Sequence, residues 1–227
     1  MLSHRVVLTL AIVGVAAVLV TVTQASPASA EGGSANYNFL VASGFLCDPN
    51  DSTTCPAVAR AANGNTIELS GAGTLNPSSK SITAAGAFAH KNSAGKIVET
   101  GVWTATELLS FKSYGIAPGA LLRGNQKFRT SGILPIGRGL LAGPMPTGGL
   151  ALLRVRLWPD SGKPKEAFLQ VNCAKGKVPE NQQGDGVRLA IQEGGPKFDQ
   201  KVSGRTVFML RKPGLNLSPK RPVPGTN

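Results

Sequence analysis

Apart from His4 near the start, His90 is the sole histidine of this 227-residue chain. Any Ser-His-Asp or Cys-His mechanism therefore has one base available to it. Nine residues on stands Glu99. If the two lie on the arms of one hairpin, Glu99 falls diagonal to His90 on the same face. That placement fits a base oriented by a carboxylate. It equally fits an ion pair at a hairpin end, which stabilises little, and this plainer account is preferred. Glu99 and Glu107 share the strand face of Trp103, but eight extended residues separate them by about 27 Å. A glycosidase needs its two carboxylates far closer than that. No Gly-x-Ser-x-Gly elbow is present. No His, Cys, Asp or Glu spacing implies a metal, and no cofactor is implied.

A second group has a different character. Arg154 and Arg156 alternate with apolar residues, as do Gln170 and Asn172 some fifteen positions later. On two facing strands these four project to one side, next to Trp158 and Phe168. Such a surface suits an anionic or sugar ligand, because guanidinium and amide groups are planar and directional. The same pattern describes the solvent face of an antiparallel hairpin, and that reading is preferred.

The compartment frames both groups. Residues 1–5 are short and basic, residues 6–23 carry no charge, and residues 24–30 end in Ala-Ser-Ala. This is the order of a secretory signal peptide, with cleavage after Ala30. The uncharged run is also near bilayer-spanning length, so an uncleaved leader would tether the protein to a membrane. Cleavage leaves 31–227 with 23 basic and 12 acidic residues, a net +11. The chain is then a basic, exported protein.

Outside the cell a disulfide is expected between Cys47 and Cys55, which flank a polar turn-forming loop. Cys173 is left over. It shares an alternating face with Leu169 and Val171, so a buried free thiol is expected.

The elements that must position these residues are strands. Residues 81–91 and 96–111 alternate around the turn Asn92-Ser-Ala-Gly95. Pairing Lys91 with Lys96 sets Gly86 opposite Gly101 and Ala84 opposite Trp103, small against large. Residues 150–158 and 166–173 form a second hairpin, and 187–192 with 203–210 a third. Residues 66–70 and 37–41 add strands, and short helical pieces are expected at 56–62 and 118–123. The fold class is all-β: an antiparallel β-sandwich or up-and-down barrel of about eight or nine strands. Residues 115–149 form a long Gly/Pro-rich loop or insertion, with 133–136 as an added edge strand. Residues 31–212 make one secreted β domain, and 213–227 a disordered, basic, Pro-rich tail.

Residues 101–111, 171–174 and 202–208 resemble secreted bacterial proteins that have no assigned activity. The resemblance spans most of the mature chain. It implies export and an all-β body, and it carries over no site residue. The functional expectation is a secreted, non-enzymatic protein whose basic surface contacts anionic polymers or surfaces. No nucleic-acid motif is present, and the sequence sets no oligomeric state. The alternative is a hydrolase, isomerase or small-ligand binder with its site in a barrel mouth.

Overall fold

Strict alternation of apolar and polar side chains dictates strands with one buried face. A computed structural model, which describes residues 35–118 and 144–211, has ten antiparallel strands, most of which follow this rule. They are β1 (Asn36–Val41), β2 (Ala57–Ala61), β3 (Thr66–Asn76), β4 (Ser81–Lys91) and β5 (Ile97–Ile116). After residues 119–143 come β6 (Met145–Pro159), β7 (Lys165–Cys173), β8 (Gly186–Ile191), β9 (Lys197–Ser203) and β10 (Thr206–Arg211). Among the described residues the only helical pieces are two short 3-10 turns, Gly44–Leu46 and Glu180–Gln182. None of these is long and apolar enough to cross a membrane. The leader, the helical piece expected at 118–123 beyond Pro118, the expected strand at 133–136 and the tail at 213–227 lie outside the described residues.

The hydrogen-bonded neighbours close two circuits that share β3, β4, β5 and β6. Eight strands form one circuit: β3, β4, β5, β6, β7, β8, β9 and β2. Six form the other: β3, β4, β5, β6, β10 and β1. The long strands β3 and β6 make this possible by changing partner along their length. β3 pairs with β2 over Thr66–Leu69 and with β1 over Gly71–Leu75. β6 pairs with β10 over Met145–Thr147 and with β7 over Gly149–Leu157. The architecture is therefore barrel-like.

The core lies inside both circuits. Ala151, Leu153 and Val155 of β6 face Val171, Leu169 and Ala167 of β7, and all are fully buried. Trp103 is fully buried as well, and its indole N–H donates to the Ser70 carbonyl at 3.0 Å. Tyr37, Phe39, Phe111 and Phe208 fill the six-strand circuit, with ring centroids 4.7 to 5.8 Å apart.

Several expected pairings are corrected. The β4–β5 register is displaced by two residues: Gly86 faces Trp103, and Phe88 faces Gly101. The cause is the five-residue turn closed by Asn92 and Lys96, with a bulge between His90 and Lys91. Small still meets large. A Cβ on Gly86 would sit 1.8 Å from the Ser70 carbonyl and 2.6 Å from the Trp103 nitrogen, so only glycine fits beneath the indole. In β5, bulges between Ala105 and Glu107, Leu108 and Ser110, and Ser113 and Gly115 break the two-residue period. The buried positions become Gly101, Trp103, Leu108 and Tyr114, and Glu107 turns outward away from Trp103.

The stretch expected to be helical at 56–62 is instead strand β2. The third hairpin does not form either. β8 pairs with β7 and β9, and β10 pairs with β1 and β6. Strands β5 and β6 also run into the Gly/Pro-rich stretch from both sides, up to Ile116 and from Met145.

The Cys47–Cys55 disulfide is present, with Cα atoms 5.3 Å apart. It staples the β1–β2 connection, whose Thr53 and Thr54 carbonyls accept hydrogen bonds from the Gly204 and Arg205 amides. Cys173 is a buried free thiol. Burial, reinforced by the charge of Asp185, pushes it up to about 12.

Candidate functional site

The end of the eight-strand circuit is ringed by reverse turns, and there the polar groups gather. A depression of about 340 Å³ opens between them, lined by His90, Lys165, Glu166, Ile191, Gln192 and Pro196 among others. His90 ends the inward face of β4, directly opposite Glu99 of β5. Lys165 starts β7, and Gln192 follows β8.

His90 is half-buried, and its ring stands edge-on to Phe198 at 5.4 Å. Its Nε2 lies 3.3 Å from the Asn65 side-chain nitrogen. An amide nitrogen only donates, so this arrangement makes Nε2 the unprotonated ring nitrogen. Burial lowers the His90 pKa. The Glu99 charge pulls it back up, and the Lys165 charge adds to the lowering. A neutral imidazole follows from both the hydrogen bonding and the electrostatics.

Glu99 is only 13% exposed, and both its oxygens accept from Lys165 Nζ, at 2.7 and 2.8 Å. The carboxylate is thus held by Lys165, and His90 bonds to Asn65. Sequence reasoning places His90 beside Glu99 but does not find Lys165, which it assigns to a turn. The ion pair spans 66 residues, so no local pattern signals it.

Gln192 is the second residue the sequence does not single out. Its backbone N–H donates to the Glu166 carbonyl at 2.9 Å, which fixes it at the rim. Its side-chain Nε2 is buried and has no hydrogen-bond partner among the described residues. A buried donor left unpaired costs about 1–3 kcal/mol.

The arginine face divides into two. Arg154 Nε donates to Glu107 at 3.0 Å, with its guanidinium 5.5 Å from the Phe168 ring centre. Arg156 Nε donates to Glu166 at 2.6 Å and lies 5.5 Å from the Trp158 ring. Trp158 is 41% exposed, and its indole N–H is taken by Thr104 Oγ1 at 3.0 Å. These three residues project outward together, each arginine matched by a carboxylate.

Gln170 and Asn172 belong elsewhere, beneath the connection formed by residues 174–185. Gln170 donates to the Gln182 side chain at 3.4 Å. Asn172 is fully buried. Its Nδ2 donates to the Gln182 and Gly184 carbonyls at 2.8 and 2.7 Å, and its Oδ1 accepts from the Tyr114 hydroxyl. Both amide hydrogens are used, so Asn172 serves as a bracket for this connection.

Among the described residues no three His, Cys, Asp or Glu side chains converge as a metal site would require. A smaller depression of about 220 Å³ lies at the other end, between Asn36, Thr74, Asn76, Ser81, Thr83 and Arg211. It gathers hydroxyls and amides around one cation and no carboxylate. Comparison of the chain with protein-family models, with curated proteins and with solved structures finds no match.

Proposed function

We propose that this is an exported binding protein whose barrel mouth takes a small polar ligand. The observation that carries this reading is the unpartnered, buried Gln192 amide on the wall of the His90–Lys165 depression. A turn of the Gln192 side chain towards the depression would let a ligand acceptor complete its hydrogen bonding, and the walls of Ile191, Pro164 and Pro196 supply apolar contact. Lys165 is already neutralised by Glu99, so the mouth favours an uncharged, hydroxyl-rich ligand such as a sugar or polyol over a strong anion. Binding is preferred to catalysis because the Glu99 oxygens are committed to Lys165, and neither orients His90.

The test is a titration of a panel of sugars and polyols followed by NMR. Saturable shifts of the His90 ring and Gln192 amide signals, lost in Gln192→Leu, would support the reading. Shifts that appear only elsewhere, or that persist unchanged in Gln192→Leu, would overturn it.

One observation favours a second role, attraction to anionic polymers. The described residues hold 16 Lys and Arg against 11 Asp and Glu, a net +5. Residues 119–143 and 212–227 add seven basic residues and no acidic one. Retention on immobilised heparin that falls steeply with salt is the expected result. Salt-independent retention would rule it out.

A further inference from the structure

We propose that Arg188 and Lys201 form a binding site for an oxyanion group, phosphate or sulfate, on the outer face of β8 and β9. This site is separate from the mouth. Arg188 projects outward from β8, in register with Gln170 of β7. Lys201 of β9 packs over Gly186, which lies two residues before Arg188 on the same face of β8; a Cβ there would only touch the lysine stem, at 3.5–3.7 Å. The two cations are close enough that Arg188 contributes to lowering the Lys201 pKa, after the larger effect of burial.

Like charges brought together on a half-buried surface repel unless an anion joins them. Neither cation has a carboxylate within ion-pair distance among the described residues. Asp185 is nearby and its charge offsets part of the repulsion at Lys201, but it forms no ion pair with either cation, and its Oδ1 accepts from the Ala174 amide at 2.6 Å. Asp199, also on β9, is exposed and makes no ion pair.

The donor inventory points the same way. Lys201 Nζ donates to the Gln183 and Gly184 carbonyls at 2.9 and 2.6 Å, which leaves one of its three hydrogens free. Arg188 Nε is buried with no partner. A guanidinium fork beside an ammonium hydrogen matches the geometry of an oxyanion. The 174–185 connection is held down by both Asn172 and Lys201, which fixes the Lys201 ammonium in place.

The group can arrive as a free ion or on an anionic polymer, and the test separates these sources. Inorganic phosphate and a polyphosphate are titrated by calorimetry into the full chain, into Arg188→Gln and into Lys112→Gln. Lys112 is an exposed lysine of β5, so its variant removes the same charge at a distance. Expected is saturable binding that weakens about tenfold in Arg188→Gln and hardly at all in Lys112→Gln. If phosphate shows this pattern, the free ion is a ligand. If only polyphosphate shows it, the group comes on a polymer. Equal weakening in both variants, or binding of neither probe, would overturn the proposal. Circular dichroism of Arg188→Gln checks that the fold persists, and Arg188→Lys should restore part of the affinity where a merely structural loss would not.

Discussion

The two ends of the barrel solve the problem of closing a sheet in opposite ways. At one end six strands share a circuit, and its interior is filled by Tyr37, Phe39, Phe111 and Phe208. At the other, eight strands share the circuit, and its rim carries His90, Glu99, Lys165 and Gln192 around a depression. More strands enclose a wider interior, and at the wider end the packed side chains stop short of the rim and leave the depression there. Aromatic packing is thus concentrated in the six-strand circuit, and the larger depression, with the unpartnered Gln192 amide, lies at the rim of the eight-strand one. The chain also departs to residues 119–143 and 212–227 from the aromatic end, so its most basic stretches join the body away from the mouth.

Phe208→Ala tests the aromatic end and should have the largest effect. Phe208 is fully buried between Phe39 and Phe111. Its truncation should cost about 3–5 kcal/mol in urea denaturation. The His90 ring signals should stay where they are. A loss below about 1 kcal/mol, or a shift at His90, would mean that the two ends are not distinct.

Lys165→Met tests the mouth and should cost less. It leaves the Glu99 carboxylate, 13% exposed, without its partner. The expected loss is about 1–3 kcal/mol. Glu99→Gln on the Lys165→Met background should recover part of it, because the stranded charge is then gone. Additive losses would show that the pair is solvated and contributes nothing, as exposed pairs commonly do.

How far these features were legible in the sequence follows the same division. The all-β class and the inward face of β6 and β7 follow from alternation, and the Cys47–Cys55 bridge from two cysteines flanking a short polar loop, which are local signals. Strand β9 did not show itself. Of Lys197–Ser203 only Phe198 is fully buried, so it has almost no apolar period. Strand β2 alternates, but with alanines, which favour helix and mislead a propensity reading. The bulges in β5 moved Glu107 outward because a bulge resets the inside-outside parity without leaving a mark in composition. At the mouth, His90 and Glu99 are legible because one hairpin holds them both. Lys165, Gln192, Arg188 and Lys201 come from three other strands or strand ends, and only the closed circuit brings them into place.

Cys173 offers a smaller test at the aromatic end. Burial raises its pKa to about 12. An unfolded thiol ionises near 9, so the folded state binds one more proton between those values. The stability from keeping the thiol neutral is therefore complete below pH 9 and declines as pH rises towards 12. Relative to Cys173→Ala, the native chain should lose about 1 kcal/mol between pH 8 and pH 10. At pH 8 the folded protein should resist thiol-labelling reagents and react on unfolding. Rapid labelling of the folded chain would place the thiol at an accessible surface and contradict a sealed interior.

His90 offers the smallest and most local test. Burial holds its folded pKa below the ordinary value near 6.5. As pH falls through that range, the unfolded chain takes up its proton before the folded one does. The contribution of the neutral ring is therefore present above about pH 6.5 and is lost on acidification. His90→Gln should remove this component, and its stability should fall less than that of the native chain between pH 7 and pH 5. The ring can be titrated directly by NMR, because the chain from residue 31 onward contains no other histidine. In Lys165→Met the repulsive ammonium is gone while Glu99 stays charged, so the His90 pKa should rise. A pKa at or above 6.5 in the native chain would place the ring in open solvent or under the control of Glu99 alone. Either result would remove the half-buried, neutral imidazole on which the contrast between the two ends depends.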